Sequence, residues 1–90
     1  RLRVAFLFMY FTYILYSEAT NRYYVGCCAN MEIRIVQHNF GRNKSTKAGK
    51  PWSIKYTETF ASLSEARKRE FEIKNKKNRK YIEWLISSVG

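Results

Sequence analysis

The chain has 90 residues, of which 46% are hydrophobic and 17% aromatic. This length and composition indicate one domain near the lower size limit for folding on a single core, and they exclude a chain that is mostly disordered. The 17 Lys and Arg residues outnumber the 7 Asp and Glu residues and leave a net charge of +10, which attracts polyanions such as nucleic acid or an anionic membrane surface.

The N-terminal segment contains an apolar run over residues 4–16 that only Thr12 interrupts. A membrane-spanning helix needs about 20 apolar residues, and no small-x-small cleavage site follows the run. We therefore expect no membrane partner and a cytoplasmic location. Because Met9 lies just before the first predicted strand, we also expect an N-terminal extension over residues 1–8 and a single domain over residues 9–90. The two cysteines are adjacent, a spacing that suits neither a metal site nor a stabilising disulfide, so reduced thiols are expected.

Two runs rich in aromatic and β-branched residues, 11–16 and 23–28, predict a pair of strands. A polar stretch joins them, which is typical of an antiparallel hairpin. Asn30 then suits the cap of a helix that ends at Gly41. The apolar residues at helical spacings in this helix are Met31, Ile33, Ile35, Val36 and Phe40.

Residues 41–51 are polar and basic and lack periodicity, so they are predicted to form a loop. Residues 52–60 alternate aromatic and branched residues with polar ones, which predicts a third strand. Together with the two helices predicted below, the order is β-β-α-β-α-α. The expected class is therefore α+β, with a small three-stranded antiparallel sheet flanked by helices.

Two further helices are predicted in the last third of the chain. Ser62-x-x-Glu65 matches a capping box, with Ser64 as a competing cap. The helix that follows extends to about Lys77 and presents Ala66, Glu70 and Ile73 on one face. Asn78 suits the cap of the last helix, whose apolar residues are Ile82, Leu85, Ile86 and Val89.

Short motifs at fixed spacings resemble a known enzyme family. Phe-Thr-Tyr13 is followed eleven residues later by Tyr24 of the tripeptide Tyr-Val-Gly26. This pair resembles the two tripeptides, one on each strand of a hairpin, that name the GIY-YIG nucleases. Arg34 comes ten residues after Tyr24, and His38 follows one helical turn later, as in the short, free-standing members of that family.

Two more motifs extend the resemblance towards the C-terminus. Lys-Ala-Gly-Lys-Pro-Trp52 and the spacing Ala-x-x-x-Glu70-x-x-Ile-Lys are similar to the same subfamily, so the resemblance spans residues 11–86. The first tripeptide lacks the Gly and Ile of the family name. Cys27 stands where some relatives carry Lys, and Ile82 stands where the repair-nuclease branch carries Asn. The resemblance implies the GIY-YIG fold and an endonuclease that hydrolyses phosphodiester bonds in DNA with Mg²⁺ or Mn²⁺.

The resemblance also implies the roles of five catalytic residues. Glu70 would hold the metal ion, although a salt bridge with a neighbouring Lys or Arg is the other way to stabilise a carboxylate on an apolar face. Tyr24 would be the general base, because neighbouring positive charge favours the phenolate, and Tyr13 would orient water or phosphate. Arg34 would bind the scissile phosphate with its fork of donors. His38 would relay a proton from Tyr24 or act as the base itself.

The basic residues predict a surface for the phosphate backbone. Eight of them lie between positions 67 and 80, against Glu70 and Glu72 only, and four more lie in the basic loop. Such contacts hold the backbone without reading sequence. The expected contacts are Arg42, Lys44, Lys47, Lys50, Lys74 and Lys77. Trp52 and Trp84 are expected to pack in the core rather than stack on bases.

Three classes of function stay open at this point. The first is an active endonuclease on DNA, with RNA as another substrate and with selectivity supplied by DNA shape or by a protein partner. The second is a catalytically weak nucleic-acid-binding module on the same fold. The third is a basic membrane-surface or secreted protein built around the N-terminal apolar run.

Overall fold

The structure is a computed structural model that describes residues 9–41 and 44–88, including all of their side chains except those of Lys44 and Ser45. The sheet consists of three antiparallel strands with the first one in the centre: β1 (Tyr10–Ser17), β2 (Arg22–Cys28) and β3 (Trp52–Phe60). The helices are α1 (Met31–Asn39), a 3-10 helix (Lys44–Gly49), α2 (Leu63–Lys76) and α3 (Arg79–Ser88). The predicted α+β class and the order β-β-α-β-α-α are confirmed.

Each helix start that the sequence predicts is present. At the start of α1, the side chain of Asn30 accepts a hydrogen bond of 3.0 Å from the amide of Ile33. The helix ends just before Gly41, as predicted, and this glycine has a φ of 73°. At the start of α2, Ser62 rather than Ser64 is the cap, since its hydroxyl accepts a bond of 3.2 Å from the amide three residues later. Asn78 accepts a bond of 2.9 Å from the second amide of α3.

The sheet separates two apolar cores, because successive residues of a strand point to opposite faces. One core lies under α1 and consists of Tyr13, Leu15, Cys28 and Trp52. The other lies under α2 and α3 and consists of Ile14, Val25, Ile73 and Leu85. The predicted apolar face of α2 is confirmed, since Ala66 and Ile73 are buried and Glu70 lies between them.

The prediction of a structureless loop over residues 41–51 is wrong for its central part, where the 3-10 helix forms. Contacts from the two flanking elements, α1 and β3, hold this turn in place. The backbone oxygen of Thr46 accepts a bond of 2.7 Å from the indole nitrogen of Trp52, and its hydroxyl lies 2.8 Å from a ring nitrogen of His38. These contacts form only in the folded chain, so the local sequence pattern gives no sign of them.

The apolar periodicity of α1 is only partly a core face. Met31 and Ile35 pack on the sheet, whereas Ile33, Val36 and Phe40 are 56%, 49% and 75% exposed. A helix of nine residues presents one narrow stripe to the sheet, and the buried His38 occupies part of that stripe.

In α3 the expectation of a buried Trp84 is also wrong, because that side chain is exposed and stacks beside Tyr81 with ring centroids 6.0 Å apart. Trp52 is buried as expected.

Within the part of the chain that the structure describes, no helix is long and apolar enough to cross a membrane. Both cysteines are free thiols, as predicted. The predicted extension over residues 1–8, the side chain of Arg42 and the apolar Val89 lie outside the described residues.

Candidate active site

A buried chain of three polar side chains lies on the α1 face of the sheet. Tyr13, in the central strand, is 1% exposed, and its hydroxyl lies 3.1 Å from Nε2 of His38. His38 is equally buried, and its Nδ1 lies 2.8 Å from the hydroxyl of Thr46. Both ring nitrogens of His38 therefore have hydroxyl partners, which fixes the orientation of the ring and of Tyr13 above it.

Gly26 makes room for this arrangement. It is paired with Tyr13 across the hairpin, and a Cβ added to it would lie 2.5 Å from the Tyr13 hydroxyl oxygen and 2.7 Å from the adjoining ring carbon. The phenol ring therefore lies directly over the backbone of β2, and only a residue without a side chain fits there. The glycine of the second tripeptide thus has a steric role in positioning Tyr13.

Burial controls the protonation of the Tyr13–His38 pair. It raises the pKa of Tyr13 far above its ordinary value, and the positive charge of Arg34 offsets only part of that increase. Burial also lowers the pKa of His38, and the charge of Arg34 acts in the same direction. Near neutral pH, Tyr13 is therefore a phenol and His38 an uncharged imidazole, so the pair is held by a neutral hydrogen bond.

Tyr24 packs against this pair from the edge strand β2. Its ring centroid lies 5.1 Å from that of His38 and 6.4 Å from that of Tyr13. Trp52 closes the other side at 6.2 Å. Since Tyr24 is only partly buried, one part of its ring faces the surface while the remainder is fixed by aromatic contacts. The structure thus brings together four of the predicted catalytic residues, Tyr13, Tyr24, Arg34 and His38.

Glu70 approaches the same edge of the sheet from α2. Its side chain is 15% exposed, and one carboxylate oxygen lies 2.6 Å from Nζ of Lys74. It also adjoins Cys27, whose pKa is raised by burial and further by the hydrogen bond and charge of Glu70. Cys27 and Tyr24 point to opposite faces of β2. Lys74 is close to both Glu70 and Tyr24, since its Nζ also lies 5.9 Å from the centre of the Tyr24 ring.

The surroundings of Glu70 fit a hydrated divalent cation. The carboxylate already holds one positive charge, that of Lys74, and retains some exposure to solvent. A single carboxylate with water and substrate phosphate oxygens is an ordinary arrangement for Mg²⁺. Over residues 9–41 and 44–88 no group of three or more His, Cys, Asp or Glu side chains could hold a metal ion.

The predicted phosphate-binding residues divide into two groups. Near the end of α1, a Cβ on Gly41 would lie 3.2 Å from Cγ of Lys47 and 3.5 Å from Nζ of Lys50, so these two lysines lie side by side. Lys74 and Lys77 line a groove next to Tyr24. The remaining two, Arg42 and the Lys44 side chain, lie outside the described residues.

Two contacts of the site refine the predictions made from sequence. Thr46 lies in the predicted loop, and the sequence gives no sign that its hydroxyl contacts His38. Lys74 was expected to contact phosphate, whereas the structure pairs it with Glu70, which is the salt bridge left open above as the alternative to a metal ion. The spacing of four residues is consistent with this pair, because such residues are neighbours on a helix.

Comparison with known proteins identifies related chains. The GIY-YIG catalytic domain family matches residues 9–82. The UPF0213 protein SH2523 from Staphylococcus haemolyticus is 47% identical over 55 residues, which cover 60% of this chain and 67% of that protein. The UPF0213 protein NP_0776A from Natronomonas pharaonis is 36% identical over 82 residues, which cover 90% of this chain and 95% of that protein.

One solved structure is also similar to this chain. It is the solution NMR structure of the UPF0213 protein BH0048 from Bacillus halodurans, which is 30% identical in sequence. The two superimpose with a TM-score of 0.55, and the match covers 88% of this chain and 83% of the other. The likeness thus extends over nearly all of the sheet and helices described above.

Proposed function

The chain belongs to the GIY-YIG catalytic domain family, and from that premise we propose that it is an endonuclease that hydrolyses phosphodiester bonds in DNA with Mg²⁺ or Mn²⁺. The observation that supports this proposal is the convergence of Tyr13, Tyr24 and His38 in one cluster. Glu70 lies at the same edge of the sheet and is linked to Tyr24 through Lys74. Two cationic side chains accompany the cluster, Arg34 beside Tyr13 and His38, and Lys74 beside Tyr24.

Tyr24 is the proposed general base. Its phenolic oxygen accepts a proton from the attacking water and passes a proton on to solvent, while the water oxygen bonds to phosphorus and the bond to the leaving oxygen breaks. The leaving oxygen then takes a proton from solvent. Arg34 binds the scissile phosphate and stabilises the charge that develops on its oxygens. Glu70 would hold the divalent ion, which when bound supplies further charge neutralisation at the phosphate.

Tyr13 and His38 are assigned positioning roles. Both nitrogens of His38 lie within hydrogen-bond distance of hydroxyls, so we propose that it orients Tyr13 and supports the Tyr24 ring rather than taking a proton from water. Tyr13 remains a phenol near neutral pH because its burial raises its pKa. It therefore serves as a hydrogen-bonding group and not as a second base.

The test uses branched, nicked and linear DNA incubated with Mg²⁺, Mn²⁺ or EDTA. Cleavage should require metal and should fall by about 100-fold or more in Tyr24→Phe, as for the loss of a general base, and in Glu70→Gln. Matched controls are Tyr56→Phe on the opposite edge strand and Glu72→Gln on the exposed side of α2, and both should cut normally. Cleavage that survives Tyr24→Phe, or that persists in EDTA, would contradict the proposal.

One observation favours a second candidate, a nucleic-acid-binding module with little turnover. Lys74 already neutralises Glu70, so the chain is stable without a metal ion at that carboxylate. Under this alternative, DNA binds in a salt-sensitive manner but is not cut under any of the conditions above. The same experiment therefore separates the two functions.

A further inference from the structure

A groove of about 400 Å³ lies beside the candidate site, between β2 and the turn that joins α2 to α3. It shares Tyr24 and Lys74 with that site. Its lining is mostly apolar: Tyr23, Tyr24 and Ile82 are partly exposed there, and the buried core residues Val25 and Ile73 lie beneath them. Small-molecule sites commonly have this size and character, whereas a surface that binds only the phosphate backbone has no need of an apolar groove.

Every charged side chain that lines the groove is basic. Arg79 is held in place by Glu83 at 3.1 Å, and its guanidinium carbon lies 4.9 Å from the centre of the Tyr23 ring. Arg22 and Lys77 are exposed and form no ion pair with any described residue. The groove therefore combines apolar contact area with free positive charge, which matches a ligand that has a flat apolar part and a negatively charged part.

We propose that this groove binds an unpaired nucleotide of the DNA strand, next to the phosphate that is hydrolysed at Tyr24. The base would contact the apolar lining, and the flanking phosphates would contact Arg22 and Lys77. A base inside a duplex is stacked and paired and cannot enter, so the groove selects DNA with unpaired nucleotides, such as branches, flaps and frayed ends. This inference rests on the proposed function, because it assigns the groove to the same substrate.

The first test is an NMR titration of ¹⁵N-labelled protein in EDTA, so that no cleavage occurs. A short oligothymidylate should shift the amide signals of residues 22–25 and 73–79 and of Ile82. An abasic strand with the same number of phosphates should bind about tenfold more weakly, which corresponds to about 1.4 kcal/mol, because the stacking of a base on aromatic side chains is lost. Equal affinity for the abasic strand, or shifts confined to other residues, would overturn the proposal.

The second test compares charge reversals in the presence of EDTA. Lys77→Glu should reduce the preference for forked over linear duplex DNA by about tenfold or more, whereas Lys55→Glu on β3 changes the net charge equally and should preserve that preference. Equal effects of the two variants would overturn the proposal. So would an acidic peptide that produces the same NMR shifts with higher affinity, since it would assign the groove to a protein partner.

These experiments separate the groove from the catalytic proposal. Nucleotide binding in the groove without metal-dependent cleavage would leave the groove intact and contradict only the endonuclease. Cleavage that depends on Glu70 and Tyr24, without shifts in the groove, would contradict only the groove.

Discussion

The ion pair between Glu70 and Lys74 places a positive charge where the proposed metal ion would bind. A divalent ion that binds the same carboxylate oxygen would compete with the ammonium group of Lys74. The displaced ammonium would remain close to Tyr24, from whose ring it is 5.9 Å away. A displaced Lys74 would be free to contact phosphate, and its predicted role and its observed ion pair would then be compatible.

We predict that Lys74→Met tightens Mn²⁺ binding by about two- to fivefold, because a partly exposed ion pair of this kind contributes about 0.5–1 kcal/mol. The measurement is the free Mn²⁺ concentration by electron paramagnetic resonance, without DNA. Lys76→Met removes the same charge from the same helix next to Tyr81 and should leave the affinity unchanged. Equal affinities of Lys74→Met and the unmodified protein would show that Lys74 does not compete with the ion.

The close approach of Tyr13 to Gly26 leads to a prediction about stability. Gly26→Ala should lower the free energy of unfolding by about 1–3 kcal/mol, as forced overpacking does in a tight core. Urea denaturation measures this loss. Because the added methyl group meets the Tyr13 hydroxyl first, Gly26→Ala should cost less in a Tyr13→Phe background. Strict additivity of the two substitutions would mean that the strain lies elsewhere.

At the scale of secondary structure, the two serines at the start of α2 offer a matched pair. Ser62 accepts the capping hydrogen bond from the Glu65 amide, whereas Ser64 is exposed in the first turn. We predict that Ser62→Ala lowers the free energy of unfolding by about 1 kcal/mol and that Ser64→Ala changes it by only a few tenths. Thermal or urea unfolding of both variants measures the difference, and a larger loss in Ser64→Ala would reverse the assignment of the cap.

Local chemistry explains why most of the elements could be predicted from sequence. Asn30, Ser62 and Asn78 begin their helices through side-chain hydrogen bonds to amides two or three residues away. Such bonds need no information from distant parts of the chain. The same holds for the hairpin, whose two strands are joined by a short polar turn.

The features that the sequence analysis missed depend on tertiary contacts. The 3-10 helix is held by Trp52 and His38. In α1 the apolar residues form two overlapping stripes, and only packing against the sheet decides that Met31 and Ile35 are covered while Phe40 is exposed. Tertiary contacts also arrange the candidate site. Its predicted residues lie in the sequence motifs, but their spacing along the chain does not show that the hydroxyls of Tyr13 and Thr46 face His38.

At the scale of the whole molecule, the ion pairs leave most of the positive charge uncompensated. Three basic residues hold four of the seven acidic ones within the described part of the chain: Arg69 with Glu58 and Glu72, Lys74 with Glu70, and Arg79 with Glu83. The remaining lysines and arginines therefore produce a positive field that attracts polyanions. Net charge does not tell which of these residues contact phosphate. The salt dependence of the binding affinity does, because it reports the number of phosphate contacts.

We predict that Lys47→Ala and Lys50→Ala each reduce the slope of log affinity against log salt concentration by about 0.9, as expected when one phosphate contact on duplex DNA is lost. Their side chains lie together beside Gly41, near the end of the helix that carries Arg34 and His38. Lys68→Ala and Lys55→Ala remove the same charge at exposed positions of α2 and β3. They should weaken binding slightly while the slope stays constant, because no counterion is displaced at those positions when DNA binds. A slope that falls equally in all four variants would mean that DNA binds through the overall field and has no fixed path across the 3-10 helix.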